Sequence, residues 1–94
     1  MAELSRRAKL YIKIDNDLSK YDVKKLRATL ITDGHLRRSM VQNATPSEIF
    51  NMLESDSKIG KGNLALLVDL LKALGKRKLA QEADDLAKSE ETGV

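Results

Sequence analysis

Apolar positions recur along this chain with helical spacing, most densely between Ile59 and Leu79, in the stretch IGKGNLALLVDLLKALGKRKL. Leu64, Leu67, Leu71 and Leu74 fall at i, i+3, i+7 and i+10, and Val68 and Leu70 widen the stripe, so this segment predicts a buried helix from about Lys61 to Leu74. Gly75 can take the left-handed conformation on which helices often end, and Lys76-Arg77-Lys78 puts three positive charges at the corner that follows. A sixth helix, about Lys76 to Lys88, offers Leu79, Ala83 and Leu86 inward, and Ser89 to Val94 reads as a frayed acidic tail.

The rest of the chain carries the same period. A first helix is expected from about Leu4 to Asp15, with Leu4, Ala8, Leu10, Tyr11 and Ile14 apolar and Arg6, Arg7, Lys9 and Lys13 basic. A second, Lys20 to Thr32, buries Val23, Leu26, Leu30 and Ile31, and Ser19 with Asp22 three residues on resembles a capping arrangement. Asp33-Gly34 ends it, and a shorter helix from about His35 to Asn43 turns Leu36, Met40 and Val41 inward and Arg37 and Arg38 outward. Thr45-Pro46-Ser47-Glu48 is the clearest start signal: an N-cap Thr, a Pro at the first helical position and a Glu closing the box. That helix, Pro46 to about Ser55, buries Ile49, Phe50 and Leu53. Six short helices on short links predict an all-α antiparallel bundle in a single domain.

Composition narrows the function more than the fold. The 94 residues are 41% hydrophobic and 33% charged, with Phe50, Tyr11 and Tyr21 the only aromatics, so the core is built from aliphatic residues. The absence of cysteine excludes a thiol nucleophile, a disulfide framework and a cysteine-bound metal. MAELSRRAKL lacks the apolar core of a signal peptide, and no apolar run approaches the ~18 residues a bilayer span needs, so cytosol is the expected compartment, with the nucleus open. The lone His35 supports no triad, Asp15/Asp17 and Asp84/Asp85 lie in polar contexts, and Gly60-Lys61-Gly62-Asn63 lacks the spacing of a phosphate loop. No enzyme, metal or cofactor is expected. Net charge is +3, but residues 1–40 hold ten Lys/Arg against five Asp/Glu, whereas residues 41–94 hold seven against nine. Opposite faces of this kind favour association with similar domains. The basic clusters raise a second class, a small helical nucleic-acid binder, which the scarcity of aromatic platforms disfavours.

Phe50-x-x-Leu53-Glu54, the polar turn, Ile59, Asn63-Leu64 and the leucine-rich helix closed by a charged corner resemble the fourth to sixth helices of a death effector domain. Leu18-Ser19-x-x-Asp22-Val23-x-x-Leu26 is similar to the start of that family's second helix, and the likeness extends over about residues 5–87. The resemblance implies a six-helix Greek-key bundle, with a core at about 4–88, that assembles with other death-fold domains in apoptotic or inflammatory signalling and has no catalytic activity. It also implies a charge triad made by an acid early in helix two and an Arg-x-Asp-Leu motif opening helix six. Asp22 fits the first part; Lys76-Arg77-Lys78-Leu79 keeps a cation and the Leu but has Lys78 where the Asp belongs, leaving two cations to one anion. Many members expose a Phe or Leu on helix two where this chain has Ala28, with Thr29 beside it, which shifts the expected contact toward charge. The expected partner-binding residues are therefore Lys24, Lys25, Arg27, Arg37 and Arg38 on one basic face, and Asp22, Lys76, Arg77 and Lys78 on a second charged surface.

Overall fold

The computed structural model describes residues 4–92, which form six helices: α1 Arg6–Asp17, α2 Lys20–Thr32, α3 Arg38–Val41, α4 Pro46–Ser55, α5 Ala65–Ala73 and α6 Arg77–Thr92. The expected all-α bundle is what the chain adopts. Gly93 and Val94, the end of the expected tail, lie outside the described residues.

Two helices begin and end where the sequence places them, because side chains close their first turns. Ser19 accepts from the Asp22 N–H while the Asp22 carboxylate accepts from the Ser19 N–H, and Thr45 and Glu48 form the same reciprocal box ahead of Pro46. Three helices end on one device. After α2, α4 and α5 the amide two residues past the cap reaches back to an orphan carbonyl: His35 N–H to Leu30, Lys58 N–H to Leu53 and Lys76 N–H to Leu71. Ser57 fills the left-handed position of the second motif at φ 61°, where a Cβ is unfavourable.

The remaining boundaries move for local reasons. His35 and Leu36 are used up in terminating α2, so α3 shrinks to one turn and leaves Met40 at 42% exposure rather than inward. Gly60 and Asn63 exchange two backbone hydrogen bonds around Gly62, whose φ of 73° suits only glycine, and α5 cannot start before Leu64. Leu4, expected on the apolar face, precedes the Ser5 cap and is 56% exposed. Ser89 and Glu90 are not a frayed tail; α6 continues through them to Thr92.

Phe50, Ile14, Leu26, Leu30, Ile49, Leu53, Leu67 and Leu71 are fully enclosed, and Leu79, Ala83 and Leu86 bring α6 onto this core. The leucine stripe between Ile59 and Leu79 is buried along Leu64, Leu67, Leu70 and Leu71. α1 packs against both α4 and α6, and α5 lies along α6. Asp15 ties α1 to the start of α4 by accepting from the Ser47 N–H at 3.0 Å and from its hydroxyl.

Candidate interaction surface

The corner between α5 and α6 is three residues long. Leu74 caps α5, Gly75 takes φ 77°, and Lys76 both closes the end of α5 and accepts from Ala80 to open α6. This fixes the Lys76 backbone and aims its ammonium at two carboxylates, Asp17 at 3.2 Å and Asp22 at 3.6 Å. The sequence alone offers two cations and one anion here. Asp17, in the last turn of α1, supplies the second anion, and Lys78 stays exposed and outside the cluster. The hydrogen bond to Asp17, with help from Asp22, keeps the Lys76 ammonium protonated above its ordinary range. Asp22 is held below the usual carboxylate range first by the Ser19 backbone N–H, then by the Ser19 hydroxyl and Lys76. Asp22 thus has two tasks, capping α2 and orienting the corner.

The second predicted face divides. Lys24, Lys25, Arg37 and Arg38 are exposed, and among the described residues none of them is in an ion pair. Arg27, expected beside them, is turned inward: it is half-buried and donates Nη2 to the Ala44 carbonyl at 2.6 Å, tying α2 to the segment after α3. Lys20, Val23, Lys24 and Arg27 line one open groove with Leu18 and Ser19. Arg77 and Lys78 are exposed in the first turn of α6, which carries no acidic residue, and among the described residues they too lack ion-pair partners.

Arg7 was expected to be one more member of a basic cluster, yet it is the most heavily bonded side chain among the described residues. It donates to Glu54 at 2.9 Å, to both oxygens of Glu90, to the Tyr11 hydroxyl at 3.2 Å and to the Gly60 carbonyl at 3.0 Å. Glu90 also accepts from the Gly62 N–H at 3.1 Å, so the last turns of α6 strap the α4–α5 turn to α1. Burial pushes the Glu90 carboxyl up, but Arg7 and Gly62 outweigh it and hold it below the usual range. Burial, and then the bond to Glu54, push the Tyr11 hydroxyl up. Partners 47 and 83 residues away leave no local sign; the available hint was Arg7 standing one turn before Tyr11 on the apolar side of α1.

Among the described residues no cluster of three or more His, Cys, Asp or Glu could hold a metal ion, and no helix is long and apolar enough to cross a membrane. The surface offers exposed cations that are in no ion pair among the described residues: Lys24 and Lys25 on the capped α2, Arg37 and Arg38 at the start of α3, which has no side-chain cap, Arg77 and Lys78 beside the Lys76 cluster, and Lys9, Lys20, Lys58, Lys61 and Lys72 elsewhere. Against known families, the model described as the death effector domain matches residues 7–89, from Arg7 to the last turns of α6. No curated protein and no solved structure matches the chain significantly.

Proposed function

The chain belongs to the death effector domain family, a family of non-catalytic protein-interaction modules, and we propose that it acts as an adaptor or regulator assembling with other death-fold domains in apoptotic or inflammatory signalling. The observation that carries this reading is the sorting of charge. Arg7 and Lys76 are committed to carboxylates of this chain and Lys13 to an exposed pair with Glu82, whereas Lys24, Lys25, Arg37, Arg38, Arg77 and Lys78, like Lys9, Lys20, Lys58, Lys61 and Lys72, face solvent without an ion pair among the described residues. Unpaired cations on a rigid frame raise association rate and select acidic partners. Asp22 and Lys76 serve this surface indirectly, by holding the corner on which Arg77 and Lys78 stand, and Arg27 by fixing α2 to the end of α3.

Many weak charged contacts become a stable assembly when each added subunit meets more than one neighbour. The partner is an acidic face of a death-fold domain, a second copy included, and the cytoplasm is the proposed compartment. Static light scattering of the full chain, alone and mixed with purified death effector domains, tests the reading. Association at low salt that weakens above about 0.15 M, where exposed charges are screened beyond ~8 Å, is expected. Monomers throughout, or association indifferent to salt, contradict it. An equal gel shift with short duplex DNA would instead place the same cations on a phosphate backbone.

A further inference from the structure

The two tyrosines of this chain have opposite surroundings. Tyr11 is 5% exposed, its ring lies 5.1 Å from that of Phe50, and its hydroxyl donates to Glu54 while accepting from Arg7. It is closed to any reagent while the fold stands. Tyr21 is 84% exposed, the most open large apolar residue among those described, and there its hydroxyl has no hydrogen-bond partner. Composition placed Tyr21 among the scarce aromatics and assigned it no role.

Its setting is specific. Tyr21 is the second residue of α2, and it follows two extended residues, Leu18 at φ −78°, ψ 131° and Ser19 at φ −79°, ψ 172°. The two residues on its amino side are extended, and the turn that carries it, closed by the Ser19/Asp22 box, must loosen for an enzyme to reach it. Lys24 and Lys25 stand three and four residues on, both exposed, on the neighbouring turn of the same helix. An anion at position 21 would also lie in the first turn of a 13-residue helix, where the dipole favours it.

We propose that Tyr21 is a phosphorylation site whose dianion is held by Lys24 and Lys25. In the step, Tyr21 Oη attacks the γ-phosphorus of ATP bound to a tyrosine kinase; the bond to the β–γ bridging oxygen breaks, ADP leaves and the phenolic proton passes to the kinase's base. The product carries about −1.5 to −2 charges at pH 7. That charge cancels Lys24 and Lys25 as a pair. Resting on the docking function proposed above, phosphorylation competes with an acidic partner for the same two lysines and releases it.

The site and its consequence are separable in one set of measurements on the full chain. After incubation with ATP, Mg²⁺ and a tyrosine kinase of broad specificity, mass spectrometry is expected to find one phosphate, on Tyr21, none on Tyr11, and none in Tyr21→Phe. The ³¹P shift of the modified chain is expected to titrate below the ordinary phosphate value of about 6 and to move back toward it in Lys24→Gln/Lys25→Gln. Modification of Tyr11 ahead of Tyr21, or no modification of Tyr21 in a chain whose circular dichroism shows it folded, overturns the site. An unshifted titration overturns the lysine clasp. Light scattering then reads the consequence. If unmodified chains associate, phosphorylated ones should do so several-fold more weakly, and unchanged association defeats the competition; a chain that never associates counts against the docking function and not against the site.

Discussion

Arg7 and Lys24 are both cations on amphipathic helices with apolar residues one turn away, yet they have opposite fates. Arg7 reaches two carboxylates, a tyrosine hydroxyl and a carbonyl, joining α1, α4, the α4–α5 turn and α6. Lys24 is exposed and, among the described residues, pairs with no carboxylate. The difference lies in what the fold brings opposite each one. Glu54 and Glu90 converge on Arg7, whereas the acids near the start of α2, Asp17 and Asp22, are taken by Lys76. A guanidinium also satisfies several acceptors at once, which an ammonium on a flexible stem does less rigidly. Charge that finds internal carboxylates holds the fold, and the remainder is available for partners.

The strongest way to break this comparison is to remove Arg7. Arg7→Met strands Glu54, Glu90 and the Gly60 carbonyl, and is expected to cost about 1–3 kcal/mol in urea unfolding. That is less than a fully buried pair costs, because solvent reaches the site and screens it. Association of the folded fraction should persist. A stability loss within experimental error would mean that the Arg7 cluster is ornamental.

Acid should act through the same cluster. The Glu90 carboxyl lies below its unfolded value of about 4.3, so its contribution is complete above that pH and is lost as pH falls through the folded value. Stability of the wild type should therefore fall below about pH 4.3 more steeply than that of Glu90→Gln. Parallel curves would contradict the assignment.

A change that touches neither region calibrates the scale. Ser57→Gly relieves a left-handed Ser and should stabilise by roughly 0.5–1 kcal/mol, read as a raised unfolding midpoint. At the corner, Lys78→Asp puts an acid in the first turn of α6, where roughly 0.3–1 kcal/mol of dipole stabilisation is expected in thermal melts. Because Asp17 already pairs with Lys76, this change should not restore a missing partner, and it should weaken rather than strengthen docking by removing an unpaired cation.

These contrasts also show where the sequence is legible. α2 and α4 could be read to their first residues because Ser19/Asp22 and Thr45/Glu48 act over three positions. The leucine stripe of α5 named its own buried face, but its start was hidden by the closed turn at Gly60 and Asn63, a backbone event with little side-chain signature. Leu36 and Val41 were correctly turned inward while Met40 was not, because α3 is too short to keep a helical period. Of the nine residues expected at the surface, the structure keeps six exposed and unpaired among the described residues, and gives Asp22, Arg27 and Lys76 internal bonds. The pairings of Asp17 and Glu90 leave no trace in the sequence because their partners come from distant helices, and no local pattern records them.

The smallest effect on stability should accompany the largest on function. Lys24→Glu/Lys25→Glu leaves every internal bond in place and should shift unfolding by less than about 0.5 kcal/mol. Light scattering of this variant beside the wild type at low salt is the most direct test of the division between structural and docking charge. An unchanged melt with association reduced at least several-fold is expected. Undiminished association in the folded variant would contradict it and would move the docking surface elsewhere on the bundle.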